Sequence, residues 1–166
     1  EPFFDLLKDF VVSKKDLIDG IDLDIEQNVG LDNATKLIRS IMNTFDNLPY
    51  WKDENKVSQF IISMAPVSYS LKDKTSGMGG FVYKNLYKLP EGQRIDYFNG
   101  QFYYGDYTLD SYKQCITNGF PANKIVMGCM YQQFHNFKEC YQVLENVHAN
   151  YPDCGGAYFW EYYAKP

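Results

Sequence analysis

The chain has 166 residues, of which 45% are hydrophobic, 17% aromatic and 22% charged, and its formal net charge is −5. This composition is sufficient for the apolar core of a single domain. The negative charge, with only 16 basic residues, argues against nucleic acid as a partner. No apolar run approaches the roughly 18–20 residues that span a bilayer, so the sequence predicts no membrane partner.

The spacing of apolar residues and the positions of turn residues predict helices and strands in alternating order. Helices are predicted at 3–13, 33–47, 81–89, 109–118 and 136–149, and strands at 18–26, 59–64, 95–103, 124–130 and 155–160. We expect Asp32 or Asn33 to be the N-cap of the second helix and Gly119 to end the fourth. The third helix lies in an elaborated segment, 67–92, that is long enough to wall a cleft. The whole chain, 1–166, is predicted to be one α/β domain with a parallel sheet.

The first predicted strand carries carboxylates along one face. From Ile21 to Glu26, apolar and acidic residues alternate strictly, so Asp22, Asp24 and Glu26 share a side. Neighbouring carboxylates repel one another, which a purely structural strand does not need but acid–base chemistry can use. The alternative interpretation is an edge strand with a solvated acidic face.

The stretch from Asp19 to Glu26, Asp-Gly-Ile-Asp-Leu-Asp-Ile-Glu, matches the pattern D-G-x-D-x-D-x-E. It resembles the catalytic signature of glycoside hydrolase family 18, the chitinase family. Three later stretches resemble the same family in the same order: Met64-Ala65-Pro66, Gln101-Phe102-Tyr103 and the strand ending at Trp160. The resemblance implies a (β/α)8 TIM barrel of which this chain carries strands four to eight. The first three strands would then precede Glu1 or come from another chain.

The resemblance also implies catalytic roles. Glu26 would be the general acid that protonates the glycosidic oxygen, with a pKa raised by burial and by Asp24. In this family the substrate's own N-acetyl oxygen is the nucleophile; Asp24 would orient that group, and Asp22 would share a proton with Asp24. Tyr103 would donate a hydrogen bond to the acetamido oxygen. Asp19 is expected to have a structural role at the start of the strand.

Substrate binding is implied for Met64, Gln101 and Trp160. Trp160 would be the flat floor on which a sugar ring stacks, and Met64 would line a sugar subsite. Core packing is the alternative for Met64 and Trp160, and a structural role is the alternative for Tyr103. Position 104 carries Tyr where the family usually has Asn, which puts the contact made by that Asn in doubt.

The implied activity is retaining hydrolysis of β-1,4-linked N-acetylglucosamine, with chitin as the substrate and no cofactor. An endo-β-N-acetylglucosaminidase acting on N-glycans is one alternative, and a non-catalytic chitin-binding lectin is another. The presence of Glu26, Asp24 and Tyr103 weighs against the lectin. The sequence has no metal-ligand cluster or phosphate-binding loop. No signal peptide is visible, but the chain begins without Met and the implied function favours secretion.

The four cysteines have no C-x-x-C spacing, so neither a zinc site nor a thioredoxin-type motif is predicted. Cys129 lies in an apolar strand, where we expect a free buried thiol. A disulfide between Cys140 and Cys154 is left open as an alternative to free thiols.

Overall fold

The computed structural model of the protein describes residues 2–130 and 137–160. Its strands form one parallel sheet in which each strand pairs with the next along the chain. They are β1 Gly20–Leu23, β2 Ile61–Met64, β3 Tyr97–Gln101, β4 Ile125–Met130 and β5 Ala157–Trp160. Sequential order with a helical connection between neighbours is the arrangement of a (β/α)8 barrel. The predicted fold, strands four to eight of such a barrel, is confirmed.

The helices alternate with these strands as predicted. They are α1 Pro2–Ser13, α2 Gly30–Phe45, α3 Ser68–Lys72, α4 Tyr83–Tyr87, α5 Pro90–Gln93, α6 Leu109–Thr117 and α7 Phe137–Asn150, with 3-10 turns at Pro49–Trp51 and Ala122–Lys124. Residue 136, the first of the last predicted helix, lies outside the described residues. The positive φ of Gly119, +96°, after α6 confirms the expected helix end.

A helix, α4, lies within the range predicted at 81–89, but the prediction of a single helix in this connection is wrong. The connection between β2 and β3 contains three short helices, α3 to α5, and Pro90 begins α5 instead of only ending a helix. The fixed φ and missing N–H of proline suit the first position of a helix, where no backbone donor is required.

The strand predicted at 18–26 is too long, because β1 ends at Leu23. The Leu23 carbonyl accepts a hydrogen bond from Ala65 N at 3.0 Å, and there the pairing with β2 stops. The next residue of that connection, Pro66, turns its carbonyl to Gln101 N of β3 at 2.8 Å. Residues 24–26 therefore lie beyond the ladder, although their alternation of exposure continues to Glu26.

The N-cap predicted for α2 is also wrong. The cap residue is Val29, and neither Asp32 nor Asn33 has that position. The backbone N–H groups of Val29 and Gly30 both donate to the Gly79 carbonyl at 3.0 Å. A carbonyl from the segment before β3 therefore satisfies the donors at the start of α2, which a side-chain cap would otherwise do.

The apolar core lies between the sheet and the helices. Phe45 of α2 stacks on Phe60 with ring centroids 4.5 Å apart, and Trp51 packs edge-on against both rings. All four cysteines are free, so the Cys140–Cys154 disulfide left open by the sequence is not formed. The buried Cys140 thiol instead donates to the Tyr107 hydroxyl at 3.3 Å.

One apolar surface remains outside this core. Phe3, Leu6 and Phe10 of α1 are 67%, 71% and 58% exposed. Their spacing places them along one stripe of the helix. The stripe precedes β1, the strand at the open edge of the sheet.

Candidate active site

A cleft of about 850 Å³ opens at the carboxyl ends of the strands. Each strand, or the residues directly after it, contributes to the lining; examples are Asp24, Ala65, Gln101, Met130 and Trp160. In barrels of parallel strands the carboxyl ends meet at one rim, which is where active sites of this fold lie. The cleft is therefore the candidate active site.

The predicted carboxylate row lies in this cleft. Asp22, Asp24 and Glu26 all line it, because the alternation of β1 continues past the end of the strand. Asp22 is fixed by two donors: Ser63 Oγ lies 2.5 Å and Asn99 Nδ2 lies 3.0 Å from Asp22 Oδ1. Ser63 is the residue paired with Asp22 in the ladder, so the sheet itself holds this contact.

Asp24 is the carboxyl group of the row with the perturbed acidity. Burial raises the pKa of Asp24 above its usual range, and the negative charges of Glu26 and Asp22 raise it further. Gln101 Nε2 lies 3.3 Å from Asp24 Oδ1 and donates to the Ala65 carbonyl at 2.8 Å. Asp24 therefore lies in the cleft with an amide donor beside its carboxyl group. Glu26 is exposed in the cleft, so the burial predicted for this side chain is wrong, and its catalytic role stays a prediction.

Two tyrosine hydroxyls meet on the other side of the cleft. The Tyr158 hydroxyl donates to the Asn99 carbonyl at 3.2 Å and lies 3.3 Å from the Tyr103 hydroxyl. Since the Tyr158 proton is engaged with a carbonyl, Tyr103 is the donor in the tyrosine pair. Burial raises the pKa of both hydroxyls, so both groups are protonated donors at neutral pH.

The remaining predicted residues are divided between the cleft and the core. Gln101 and Trp160 line the cleft, and the Trp160 ring is exposed there. Met64 is fully buried and is not among the lining residues. Ser63 faces the carboxylates, so the next side chain, Met64, points to the opposite face of the sheet. Met64 therefore packs in the core, which was the alternative interpretation of this residue. The predicted contact of Met64 with substrate does not fit this position.

Several lining residues were missed by the sequence prediction. Asn99 and Tyr158 lie two positions before Gln101 and Trp160, so the two-residue period of their strands would have found them. Ser63, which is outside the lining but donates to Asp22, could be found only from the register between β1 and β2. The lining also includes Asp106, which accepts hydrogen bonds from Lys72 and Ser68 in a segment where the sequence offered no motif.

Within the described residues, no group of three or more His, Cys, Asp and Glu side chains is arranged to hold a metal ion. Of the helices in the ranges 2–130 and 137–160, none has the length and hydropathy needed to cross a membrane.

Solved structures with the same fold are glycoside hydrolases. A fungal endo-beta-N-acetylglucosaminidase from glycosyl hydrolase family 18 is 27% identical, with a TM-score of 0.80, and the match covers 98% of this chain and 54% of that one. The chitinase ChiC from Aspergillus fumigatus is 24% identical, with a TM-score of 0.81 and coverage of 99% and 57%. The catalytic domain of a family GH18 chitinase from the fern Peteris ryukyuensis is 15% identical, with a TM-score of 0.65 and coverage of 95% and 54%.

The chain spans about half the length of each of these structures. No family model matches its sequence, and no curated protein sequence matches it. The fold, and the place of the carboxylates in it, nevertheless define the class of barrel. The chain resembles the carboxyl-terminal part of the catalytic barrel of glycoside hydrolase family 18.

Proposed function

We propose that this chain carries the acid–base residues of a glycosidase active site. The enzyme would cleave β-1,4-linked N-acetylglucosamine in chitin with retention of configuration. The observation that carries the proposal is the convergence of Asp22, Asp24 and Glu26 with Tyr103 in one cleft at the carboxyl ends of the strands. A solvated acidic edge would not need the buried Ser63 hydroxyl as a donor to Asp22, nor a tyrosine hydroxyl in the same cleft.

The proposed reaction has two steps, and Glu26 acts in both. Glu26 donates a proton to the glycosidic oxygen as the bond from that oxygen to the anomeric carbon breaks. The carbonyl oxygen of the substrate's N-acetyl group attacks the same carbon from the opposite side, which gives a cyclic oxazolinium ion. The Glu26 carboxylate then takes a proton from water as the water opens the ring. Two inversions give net retention.

Asp24 and Tyr103 act on the N-acetyl group. Attack requires the amide N–H to be held on one side and the carbonyl oxygen on the other. We assign to the Asp24 carboxylate, which Gln101 contacts, the role of accepting the N–H and balancing the charge of the oxazolinium ion. We assign to the Tyr103 hydroxyl, which contacts Tyr158, the role of donating to the acetamido oxygen.

This mechanism is tested by the chemistry of the substrate. We expect the intact protein to release the β-anomer first from chitotetraose, as read by proton NMR. The matched substrate is a β-1,4-linked glucosamine oligomer, which has the same linkage but lacks the acetyl oxygen. It should be cleaved at a negligible rate. Equal rates on the two oligomers, or initial release of the α-anomer, would rule out substrate-assisted retention.

An endo-β-N-acetylglucosaminidase acting on N-glycans is the second candidate. The fungal endo-beta-N-acetylglucosaminidase favours it, because that enzyme is 27% identical to this chain over 98% of this chain's length. The mechanism is the same, so only the substrate separates the candidates. Release of the glycan from an N-linked glycopeptide, without cleavage of chitotetraose, would assign this second function. A lectin would bind one of these substrates and cleave neither.

A further part of this proposal concerns the rest of the barrel. The stripe of α1 with Phe3, Leu6 and Phe10 is exposed, and β1 has an open edge where strand three of a complete barrel would pair. We propose that three further strands, from the same polypeptide or from another chain, cover this surface. The intact mass and the solution mass of the purified protein test this: about 10 kDa or more beyond the 19.3 kDa of these residues is expected. An active monomer of 19.3 kDa would contradict it.

A further inference from the structure

Tyr104, directly after Tyr103, has an unusual backbone conformation. Its φ is +53°, in the left-handed region, and the φ of Gly105 is +95°. Asp106 N donates to the Tyr103 carbonyl at 3.2 Å, so these residues form a two-residue turn in which both central residues have positive φ. Such a turn strongly prefers Asn followed by Gly. A tyrosine at the first central position is sterically costly.

No contact of the Tyr104 side chain with the described residues offsets the cost of this conformation. Its ring is 87% exposed and lines the cleft. Among the residues that the structure describes, no hydrogen bond or ring contact holds it. An exposed aromatic ring on an unfavourable backbone is explained most simply by contact with a ligand, because strain of this kind collects at binding sites.

The turn that carries Tyr104 is anchored. Lys72 Nζ forms an ion pair with Asp106 Oδ2 at 2.7 Å, and Ser68 Oγ donates to the same oxygen. Tyr69, the residue after Ser68, is 41% exposed and lines the same cleft. Tyr69 and Tyr104 follow β2 and β3, whereas Trp160 ends β5.

We infer that Tyr104 is a specificity-determining residue: a fixed aromatic platform for a second sugar ring of an extended N-acetylglucosamine chain, beyond the ring that rests on Trp160. The inference rests on the proposed function. A pyranose ring presents C–H groups on its faces, which pack on an aromatic face as other apolar groups do. Preorganisation by the anchored turn lowers the ordering cost of binding. We expect an oligosaccharide of one or two sugars bound at Trp160 to leave this platform unoccupied.

The test uses the intact protein in a Glu26→Gln background, so that bound oligosaccharide is not cleaved. Dissociation constants for chitotetraose and chitobiose are measured by calorimetry with Tyr104, with Tyr104→Asn and with Tyr104→Phe. Tyr104→Asn should weaken binding of chitotetraose about tenfold, the value expected for loss of one apolar contact surface, and leave chitobiose unchanged. Tyr104→Phe keeps the ring and should keep the affinity. The melting temperature should rise by about 2–4 °C in Tyr104→Asn, because Asn fits the turn.

The outcomes separate the two proposals. Chitotetraose binding that is equally tight with Tyr104 and with Tyr104→Asn would overturn the platform and leave the proposed function intact. A melting temperature that falls in Tyr104→Asn, together with equal losses for both oligosaccharides, would mean that Tyr104 only supports the turn. Failure of all three proteins to bind either oligosaccharide would contradict the proposed chitin substrate, and the platform with it.

Discussion

The hydroxyl oxygens of Tyr103 and Tyr158 lie 3.3 Å apart, and Tyr158 in turn donates to the Asn99 carbonyl at 3.2 Å. The chain of hydrogen bonds joins β5 to β3 across β4. Tyr103 therefore has a fixed partner before any ligand binds, and its proton points along a defined direction. Asn99 also holds Asp22, so one residue connects the tyrosine pair with the carboxylate row.

Tyr158→Phe removes the oxygen that receives the Tyr103 proton. Tyr103 then has no fixed direction for its donor, and we expect kcat on chitotetraose to fall about fivefold, the equivalent of ~1 kcal/mol, with KM little changed. Tyr103→Phe is the comparison variant and should lose about 10²–10³-fold, because it removes the donor itself. Equal losses in the two variants would contradict a positioning role for Tyr158.

Gly128→Ala should displace Tyr158. A Cβ at Gly128 of β4 would lie 2.2 Å from Tyr158 Cζ and 2.4 Å from its hydroxyl oxygen, so the ring must move. We expect a loss of about 1–3 kcal/mol in the free energy of unfolding, measured with urea. The same substitution made together with Tyr158→Ala has no ring to displace and should cost much less than that. An equal cost in both backgrounds would mean that contact with the Tyr158 ring is not the cause of the loss.

Stability should depend on pH through Asp24. Its pKa is raised in the folded chain, so between the ordinary pKa and the raised one the folded state holds more protons than the unfolded state. This contribution to stability is present at low pH and is lost as the pH rises through the folded pKa. Asp24→Asn should therefore raise the melting temperature at neutral pH. The gain should vanish below the ordinary carboxyl pKa of about 3.9.

The control for this measurement is Asp9→Asn, an exposed carboxylate of α1 outside the cleft. It should leave the pH profile of the melting temperature as it is in the unsubstituted protein. A gain from Asp24→Asn that persists at about pH 3 would show that the negative charge of Asp24 is not its cause.

Arg94 should be a stability residue at the end of the sheet away from the cleft. Its guanidinium binds Asp46 after α2 with two hydrogen bonds, of 2.7 and 3.0 Å, and binds Asp96 at 2.8 Å. Asp96 also accepts the backbone N–H of Ile62 in β2. Arg94→Met leaves both carboxylates without this cation, and the groups are only partly exposed. We expect a loss of about 2 kcal/mol in the free energy of unfolding.

Arg94→Lys is the matched variant for this network. Lysine keeps the charge but cannot form the two parallel bonds to Asp46, so it should recover only part of the loss. Full recovery by lysine would mean that charge alone, without the guanidinium geometry, holds the two carboxylates.

Periodicity in the sequence accounts for much of the site. Alternation placed Asp22, Asp24 and Glu26 on one face, and the same rule placed Gln101 and Tyr103 together, because these features depend only on neighbouring residues. The resemblance then supplied their order in a barrel. The early end of β1 could not be predicted in this way, since it depends on where the partner strand turns at Pro66.

Contacts between residues far apart in the sequence could not be predicted for the same reason. The start of α2 is decided by the Gly79 carbonyl, about fifty residues later in the chain, which no local capping rule contains. Met64 was assigned by resemblance, and its burial follows from which of two adjacent residues faces Asp22. The turn at Tyr104 could not be predicted either, because local preferences do not favour tyrosine at this position of such a turn.

The most direct test of the central claim is the turnover of chitotetraose by the intact protein and by its Glu26→Gln variant. The glutamine has the same shape but cannot donate the acid proton, so we expect turnover to fall by about 10²–10⁴-fold while the oligosaccharide still binds. Glu54→Gln, at an exposed position outside the cleft, should behave as the unsubstituted protein. Unchanged turnover in Glu26→Gln would contradict the assignment of this carboxylate row as a glycosidase site.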